Sequence, residues 1–519
     1  MEKKLYEWLP HIEDSIPKEA FGYPISMYSI ALEGWRRGLS LKYKNNNRNN
    51  SNINYSLSDG ENTYNFRGSR GSMVTNEATK ICNNKYLTKR YLSEAGVSIP
   101  KGNFFDETVS DEDILNSAKK LGFPLVIKPI TGEGGKGVIA NIKSEEDFSA
   151  ALDYVKNDLN YKKIIIENHI EGKDYRVFVI GDKVIGAINR IPANVVGNGV
   201  SSIQELLDKK NQEKRKNPAL KSSPIRKDKE MMTLLNNIGY TMDSVPANGE
   251  RVFLKTKSNI SAGGEPIDAT DIITDEVRNN AIKAVQAIPG LVQGGVDILW
   301  DSTTNHLAVL EINSLPSIRT HLFPIEGTAR DVPKAIIDYY FPKTKANHNS
   351  PLYYFDIASV FKGFKDRTLQ EVSIPDHPQG ELESYRYIFK SIDKTLVTKR
   401  RVHKIAKRLE LHGFIQSKGK SVLEIIISGQ SDRVNNFKKT LFSELKLTDF
   451  VESKWDRPVK IGFEIIDSKP VKKKRKDSIK QSEYKRIEKE RDFYRRKYDE
   501  IQNSKVWKYA NVLRKLKRN

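Results

Sequence analysis

The chain has 519 residues, 38% hydrophobic and 29% charged, with a formal net charge of +21. At roughly 100–200 residues per domain this is a globular protein of about three domains. One cysteine, Cys82, excludes an internal disulfide and fits a reducing compartment. The opening residues hold no long apolar run, and nowhere do about 18 apolar residues follow one another. Neither a signal peptide nor a membrane span is therefore expected, and the expected location is cytoplasmic. The charge is concentrated: Ser468 to Asn519 carries 20 Lys/Arg against 7 Asp/Glu, which is +13 of the +21. Basicity is thus largely a property of the tail, and no nucleic-acid partner is needed to explain it.

Taken in chain order, residues 1–75 combine a short helical pattern, Met27 to Arg37, with an Asn-rich loop at Asn45 to Asn54. Residues 76–342 form the largest unit. Tyr86, Leu87, Tyr91 and Leu92 share one helical face up to a stop at Gly96. A helix over Ile114 to Leu121 and a strand over Pro124 to Pro129 follow, and elements then alternate to Pro342, as in an α/β or α+β enzyme. Asn347 to Pro351 reads as a linker, residues 350–467 as a smaller mixed unit, and 468–519 as a basic helical tail.

Two local patterns carry chemistry. The first is the Gly-rich run Gly132-Glu-Gly134-Gly135-Lys-Gly137. The residues after it, Val138 to Ile142, are β-branched and alternating, so the second element is a strand rather than the helix of a dinucleotide fold. A strand–glycine loop–strand is a flap that can cover phosphates with backbone N–H groups. Lys128, at the end of the first strand, is placed to meet a phosphate as a point charge. An ordinary hairpin turn and a solvated strand end are the plain alternatives. The second pattern is a hairpin of two apolar strands, Gly294 to Trp300 and Leu307 to Asn313. It brings Asp297, Glu311 and Asn313 to one face, where one or two Mg²⁺ held with ATP phosphates would satisfy them. A carboxylate pair neutralised by a nearby lysine or arginine is the alternative.

Together these pieces resemble the ATP-grasp family, and specifically the ATP-grasp module of cyanophycin synthetases, with that of bifunctional glutathione synthetases also similar. The resemblance spans about Lys85 to Pro342. It rests on the order and spacing of Lys85-Tyr-Leu-Thr-Lys89, Val126-Ile-Lys128-Pro129 with the flap, Ile166-Glu167-Asn168-His-Ile170-Glu-Gly172, Arg190 to Val200, Asp243-Ser-Val-Pro246, Asn259 to Gly264, Gly295-Val-Asp297, Glu311-Ile-Asn313 and Arg319-Thr-His321. It implies an ATP-grasp fold and an ATP-dependent carboxylate–amine ligase working through an acyl phosphate. Lys85 and Lys128 are implied to contact ATP, Gly134, Gly135 and Gly137 to cover its phosphates, and Glu167 to meet the adenine amino group. The Asn168 to Ile170 backbone is implied as the adenine hinge, Asp174 as the ribose-binding acid, and Asp297, Glu311 and Asn313 as the Mg²⁺ ligands. Arg190 and Arg319 look like clamps for a phosphate or a substrate carboxylate, and Lys255 with Asn259 to Gly264 would complete the catalytic floor. Gly134 stands where cyanophycin synthetases usually carry a flap histidine, so contacts made by that histidine do not carry over. Neither the second, P-loop ligase of cyanophycin synthetases nor the glutamate–cysteine ligase domain of the glutathione enzymes is found, so neither product is implied. The substrates expected are a carboxylate and an amine, small molecules or peptides.

Tyr385 to Ile466 resembles acylphosphatase faintly, through Arg401 to Phe414 and the strand Val422 to Ser428, which implies a small βαββαβ sandwich. Lys399 and Ser417 replace the family's arginine and asparagine, so a binding or docking role is expected rather than hydrolysis; an unrelated ferredoxin-like fold is the alternative. In the tail, Tyr484 to Ile501 has coiled-coil spacing that suggests a homo-oligomer. Lys505 to Arg518 is a basic amphipathic pattern with Trp507, suited to peripheral contact with an anionic membrane or to packing on the protein itself. Ser504 to Arg514 is similar to the Ser-x-x-Trp…Leu-Arg tails of some bacterial surface-polysaccharide enzymes, with Val512 in place of the usual proline. That likeness implies attachment of an amino acid or peptide in cell-envelope polymer synthesis. The contrasting reading is a non-catalytic ATP-binding scaffold at the membrane.

Overall fold

A computed structural model describes residues 5–45, 53–131, 136–346, 352–390, 396–418, 422–445 and 450–466. The coiled-coil and membrane expectations for the tail, the linker at 347–351, most of the Asn-rich loop, and Gly134 and Gly135 of the flap lie outside these residues.

After a short strand Tyr6–Glu7 and a short helix Pro10–Glu13, the helix Ile25–Arg36 is buried on nearly every side, Tyr28, Ile30, Leu32 and Trp35 included. It packs on an antiparallel meander of Ser40–Asn45, Ile53–Ser58, Thr63–Arg67 and Arg70–Gly71. Alternation sets the faces: Leu41 and Tyr43 point into the core, while Ser40, Lys42 and Lys44 point out.

Two further antiparallel sheets hold the sequence-predicted site. The first has the order Gly102–Phe105, Ile164–Asn168, Leu125–Pro129, Ile139–Ile142. Leu125, Ile127, Ile164 and Ile166 face the helices Asp111–Leu121 and Glu145–Asp153 and form one core with Ile114, Ala118 and Phe148. The alternate residues, among them Lys128 and Glu167, are left on the opposite face. The strand expected after the flap is present as Ile139–Ile142 and pairs with Leu125–Pro129.

The second sheet has the order Glu265–Asp268, Lys183–Ile191, Lys173–Ile180, Gln293–Trp300, Leu307–Asn313. The helix Asp275–Gln286 covers one face, burying Val277, Ala281 and Val285 against Val177, Val179, Val296 and Ile298. Period-two alternation then sends Asp174, Arg176 and Asp297 to the other face. Gly172 turns the chain into this sheet at φ +148°, and a Cβ there would lie 2.9 Å from the Trp300 carbonyl carbon, so only glycine fits.

Tyr353, Phe355, Ile357, Val360 and Phe364 join the core that the first 70 residues share with Ile318, Leu322 and Ile336, while Tyr353–Tyr354 also pairs with Val459–Lys460 of the smaller unit. Phe355 packs its ring 4.9 Å from that of Tyr28 and 5.5 Å from that of Trp35. The strand Glu371–Ser373 then adds a fifth member to the opening sheet, on the Ser40–Asn45 edge. Only from Leu382 does a separate core form. Its sheet has the order Phe450–Lys454, Leu382–Lys390, Val422–Gln430, His412–Lys418, Phe463–Ile466, with helices Leu396–Arg408 and Ser431–Leu445. The first six elements run β-α-β-β-α-β, followed by a short strand Val459–Lys460 and by Phe463–Ile466 at the sheet edge. Tyr387, Val402, Ile415, Ile425 and Phe437 fill its interior, while Ile426 and Phe414 rest against the core of the opening residues. Tyr353 and Ser428 share a hydrogen bond of 2.6 Å across that contact.

Candidate active site

Glu167 is 2% exposed and held between two lysines, Lys128 Nζ at 2.7 Å and Lys89 Nζ at 2.6 Å. Burial alone would raise its carboxyl pKa, but Lys128 and then Lys89 outweigh that and hold it below the usual carboxylate value. Lys89 itself is pushed down to about 8, first by burial and then by Lys128. The predicted adenine contact is therefore ion-paired, and Lys89, to which the sequence assigns no role, is part of the same group. The N–H groups of Asn168 and His169 donate to the carbonyls of Lys101 and Pro124, each at 2.9 Å. Those two donors are taken by the sheet and the loops beside it. Ile170 is half-buried next to them.

Lys85 opens the helix Lys85–Glu94 behind the N-cap Asn84, which accepts from Leu87 N–H. Its own N–H donates to the Ile130 carbonyl at 3.2 Å, and its charge acts on Glu311 in the second sheet. Lys85 thus stands between the two sheets. At the flap's far end Gly137 adopts φ +72°, and a Cβ there would lie 3.1 Å from the Tyr161 ring. Beside it Lys257 Nζ donates to the Val138 carbonyl at 3.4 Å, tying the flap strand to the loop that leads into Asn259 to Gly264.

Asp297 and Glu311 are paired across their strands, with a bulge next to Asp297, and Asn313 donates to Glu311 at 3.3 Å. The three predicted metal ligands are thus adjacent. Asp297, 4% exposed, accepts two hydrogen bonds of 2.6 Å from Arg176 and one contact of 3.0 Å from Arg190. Arg176 and Arg190 thus balance the charge of Asp297. Burial opposes ionisation of Asp297, yet Arg176 and Arg190 drive its pKa well below the carboxylate range. Glu311 goes the other way, raised by burial and by the charge of Asp297. Two facing carboxylates, one tending to keep a proton, make a donor set whose charge a divalent cation could balance. Among the described residues no group of three or more His, Cys, Asp or Glu is arranged to hold a metal, so the fit depends on Asn313 as third ligand.

Arg190 is the hinge of the charge network. It donates to Asp174 at 2.9 and 2.5 Å while reaching Asp297, and those two carboxylates outweigh burial to raise its pKa above the ordinary arginine value. Asp174 also accepts from Ser258. Lys255, expected at the catalytic floor, is paired with Asp228 and, at 3.2 Å, with Glu230, beside the start of the helix Lys229–Asn237. Arg319 is buried, donates to Ser222 at 3.1 Å and Ser223 at 3.3 Å, and does not join the Asp297 group. His321, two residues on, is held neutral by burial and by Arg176, its pKa pushed down to about 3.

Arg176 is the main residue that sequence reasoning missed. A signal existed: it follows Asp174 by two and sits among Tyr175, Val177 and Val179 in a buried strand, where an arginine requires a partner.

The matched family is the RimK-like ATP-grasp domain, over residues 82–211. Over those residues the chain is similar to that domain. Cyanophycin synthetase from Synechocystis sp. is 33% identical over 265 residues, covering 49% of this chain and 30% of the relative. The glutathione biosynthesis bifunctional protein of Clostridium perfringens is 33% identical over 334 residues, covering 61% of this chain and 41% of the relative. Among solved structures, a bifunctional glutathione synthetase from Pasteurella multocida superposes with a TM-score of 0.45 at 28% identity, over 58% of this chain and 41% of that one. The chain spans less than half the length of each of these relatives. The ATP-grasp fold expected from the sequence, with mixed α+β content, is the fold observed. No helix among the described residues is long and apolar enough to cross a membrane.

Proposed function

We propose that the chain is an ATP-dependent ligase that joins a carboxylate to an amine through an acyl phosphate. The observation that carries this reading is the cross-strand pair Asp297/Glu311, with Asn313 beside it and the charge of Lys85 acting on Glu311 from the other sheet. ATP would lie between the sheets, with Lys85, Lys89 and Lys128 toward its phosphates, Gly134, Gly135 and Gly137 over them, and Glu167, Asn168 and Ile170 toward adenine. Asp174 would serve the ribose. Mg²⁺ at Asp297, Glu311 and Asn313 would supply charge neutralisation for the phosphates. Binding would require Arg190 to turn from Asp297 toward the transferring phosphoryl group or the substrate carboxylate, a task suited to a planar guanidinium. Lys255 would steady the floor under that group. A carboxylate oxygen then attacks the γ-phosphorus and ADP leaves. The amine attacks the acyl carbon, phosphate leaves with the bridging oxygen, and the nitrogen's proton passes to solvent. The chain's residues position and neutralise, so no side-chain nucleophile is required.

The finer reading is attachment of an amino acid or peptide to a cell-envelope polymer, supported by the likeness of the Ser504 to Arg514 stretch alone. The unit from Leu382 onward would be an acylphosphatase-like docking domain without hydrolase activity. The Glu311→Gln variant tests the reaction type. It should bind ATP as the wild type does while phosphate release stimulated by mixtures of carboxylates and amines falls at least about 100-fold. If no mixture stimulates release in the wild type and Glu311→Gln changes nothing, a nucleotide-binding scaffold is the better description.

A further inference from the structure

The positive charge of the chain is unevenly placed. Residues 1–381 carry 49 Lys/Arg against 48 Asp/Glu, whereas Leu382 to Ile466 carries 18 against 10. The body that holds the two site-bearing sheets is thus almost neutral, and the smaller unit is strongly basic before the tail begins. Within that unit the charge gathers on the helix Leu396–Arg408, which has no acidic residue. Arg400, Arg401, Lys404, Lys407 and Arg408 recur at helical spacing and are all exposed, while Val402, Ile405 and Ala406 on the other side enter the core. Like charges three and four residues apart on one helix repel and destabilise it. On the neighbouring helix Ser431–Leu445 the cations are balanced, Arg433 by Glu410 and Lys438 by Glu452. Among the described residues no carboxylate lies within ion-pair distance of Arg400, Arg401, Lys404 or Lys407.

The packing of the helix gives this face a direction. Ile425 and Ile427 of the strand Val422–Gln430 share the unit's core with Val402 and Ile405, and Ile426, pointing the opposite way, rests against the core of the opening residues. The basic side of the helix is therefore turned away from the body, with the unit's own sheet between them. The chain also leaves the unit beside this helix. The His403 ring lies 6.1 Å from that of Phe463, in the strand Phe463–Ile466, and Ser468 to Asn519 then carries the net +13. The helix contains no Phe, Tyr or Trp, so it lacks the platforms on which nucleic-acid bases stack. A row of exposed cations without rings or apolar side chains suits a plane of anionic headgroups, which can move to meet each charge.

We propose that the outer face of the helix Leu396–Arg408 is a docking surface for an anionic lipid bilayer, meeting headgroup phosphates through Arg400, Arg401, Lys404 and Lys407. The smaller unit is then a spacer that holds the almost neutral body off the bilayer. The contact is electrostatic and inserts no side chain, so it weakens steeply with salt. It is made by folded residues and is distinct from any contact made by the tail. It does not rest on the ligase reading, and it is measurable without ATP.

The test is flotation of the full-length chain with vesicles of phosphatidylcholine, alone or mixed with about 30% phosphatidylglycerol. Binding is expected to the mixed vesicles only, at about 0.1 M NaCl, and should be lost at about 0.5 M. Arg400→Gln, Arg401→Gln, Lys404→Gln and Lys407→Gln combined in the intact chain should weaken it at least about tenfold, each cation contributing roughly fivefold. Arg400→Lys with Arg401→Lys should stay within about threefold of the wild type, because a bilayer answers to charge and not to guanidinium geometry. All these side chains are exposed, so neither variant should lose thermal stability or ATP binding. No binding by the wild type, equal binding to phosphatidylcholine alone, or undiminished binding in the fourfold variant would each overturn the proposal, the last by assigning the contact to the tail. Tighter retention on double-stranded DNA than on the mixed vesicles would overturn it in favour of a nucleic-acid face. Each of these results leaves the ligase reading untouched, whereas a chain that docks but never releases phosphate from ATP refutes that reading alone.

Discussion

Lys89 is a buried lysine that shares one carboxylate with another lysine, and this has a thermodynamic signature. Its folded pKa of about 8 lies below the ordinary 10.5. Between those values the unfolded chain binds more protons, so Lys89 makes stability rise with pH across that window. Lys89→Met should remove this contribution. The stability of the wild type relative to the variant should increase by on the order of 1–3 kcal/mol from pH 7.5 to pH 10, read from denaturant midpoints at each pH. A gap that does not change with pH would show that Lys89 is not strained by its surroundings. Much of this residue-level network was legible in the sequence because it follows from strand alternation: Lys128 with Glu167, and Asp297 with Glu311, share faces dictated by period two. What was not legible is which charge answers which. Arg176 and Arg190 reach Asp297 from two different strands, and such a choice depends on register, which alternation alone does not give.

At the scale of elements, the chain after residue 352 returns to the opening core. Three residues of Glu371–Ser373 carry no strong strand signal, and their partner lies more than 300 residues earlier. Only the nonlocal edge of Ser40–Asn45 makes them a strand. The helix Ile357–Lys365 and Phe355 close the core around Trp35, whose Nε1 donates to the Pro375 carbonyl at 2.7 Å. Phe355→Ala should therefore cost about 3–5 kcal/mol in stability, measured by urea unfolding. A chain ending at residue 378 should fold and bind ATP, whereas one ending at residue 346 should be insoluble or lose its cooperative transition. Equal behaviour of the two would mean that the opening core closes without this segment. By contrast the hairpin Gln293–Trp300 and Leu307–Asn313 was readable almost to the residue, because both strands are long, apolar and joined by a short polar turn. Gly172→Ala, at the entry to the same sheet, should destabilise by about 1–3 kcal/mol, since the added methyl group meets the Trp300 backbone.

On the scale of the whole molecule, each of the two antiparallel sheets carries charged residues on the face its helices leave uncovered, and Lys85 links them by acting on Glu311. The chemistry proposed for these charges is most directly tested with isotope. Mixtures of carboxylates labelled with ¹⁸O, together with amines, ATP and Mg²⁺, are incubated with the full chain, and products and phosphate are read by mass spectrometry. An acyl-phosphate ligase must transfer one carboxylate oxygen to phosphate for each amide formed. The account predicts singly ¹⁸O-labelled phosphate, equimolar amide and ADP, and loss of all three in Glu311→Gln. Unlabelled phosphate without an amide product, at any substrate combination, would contradict it.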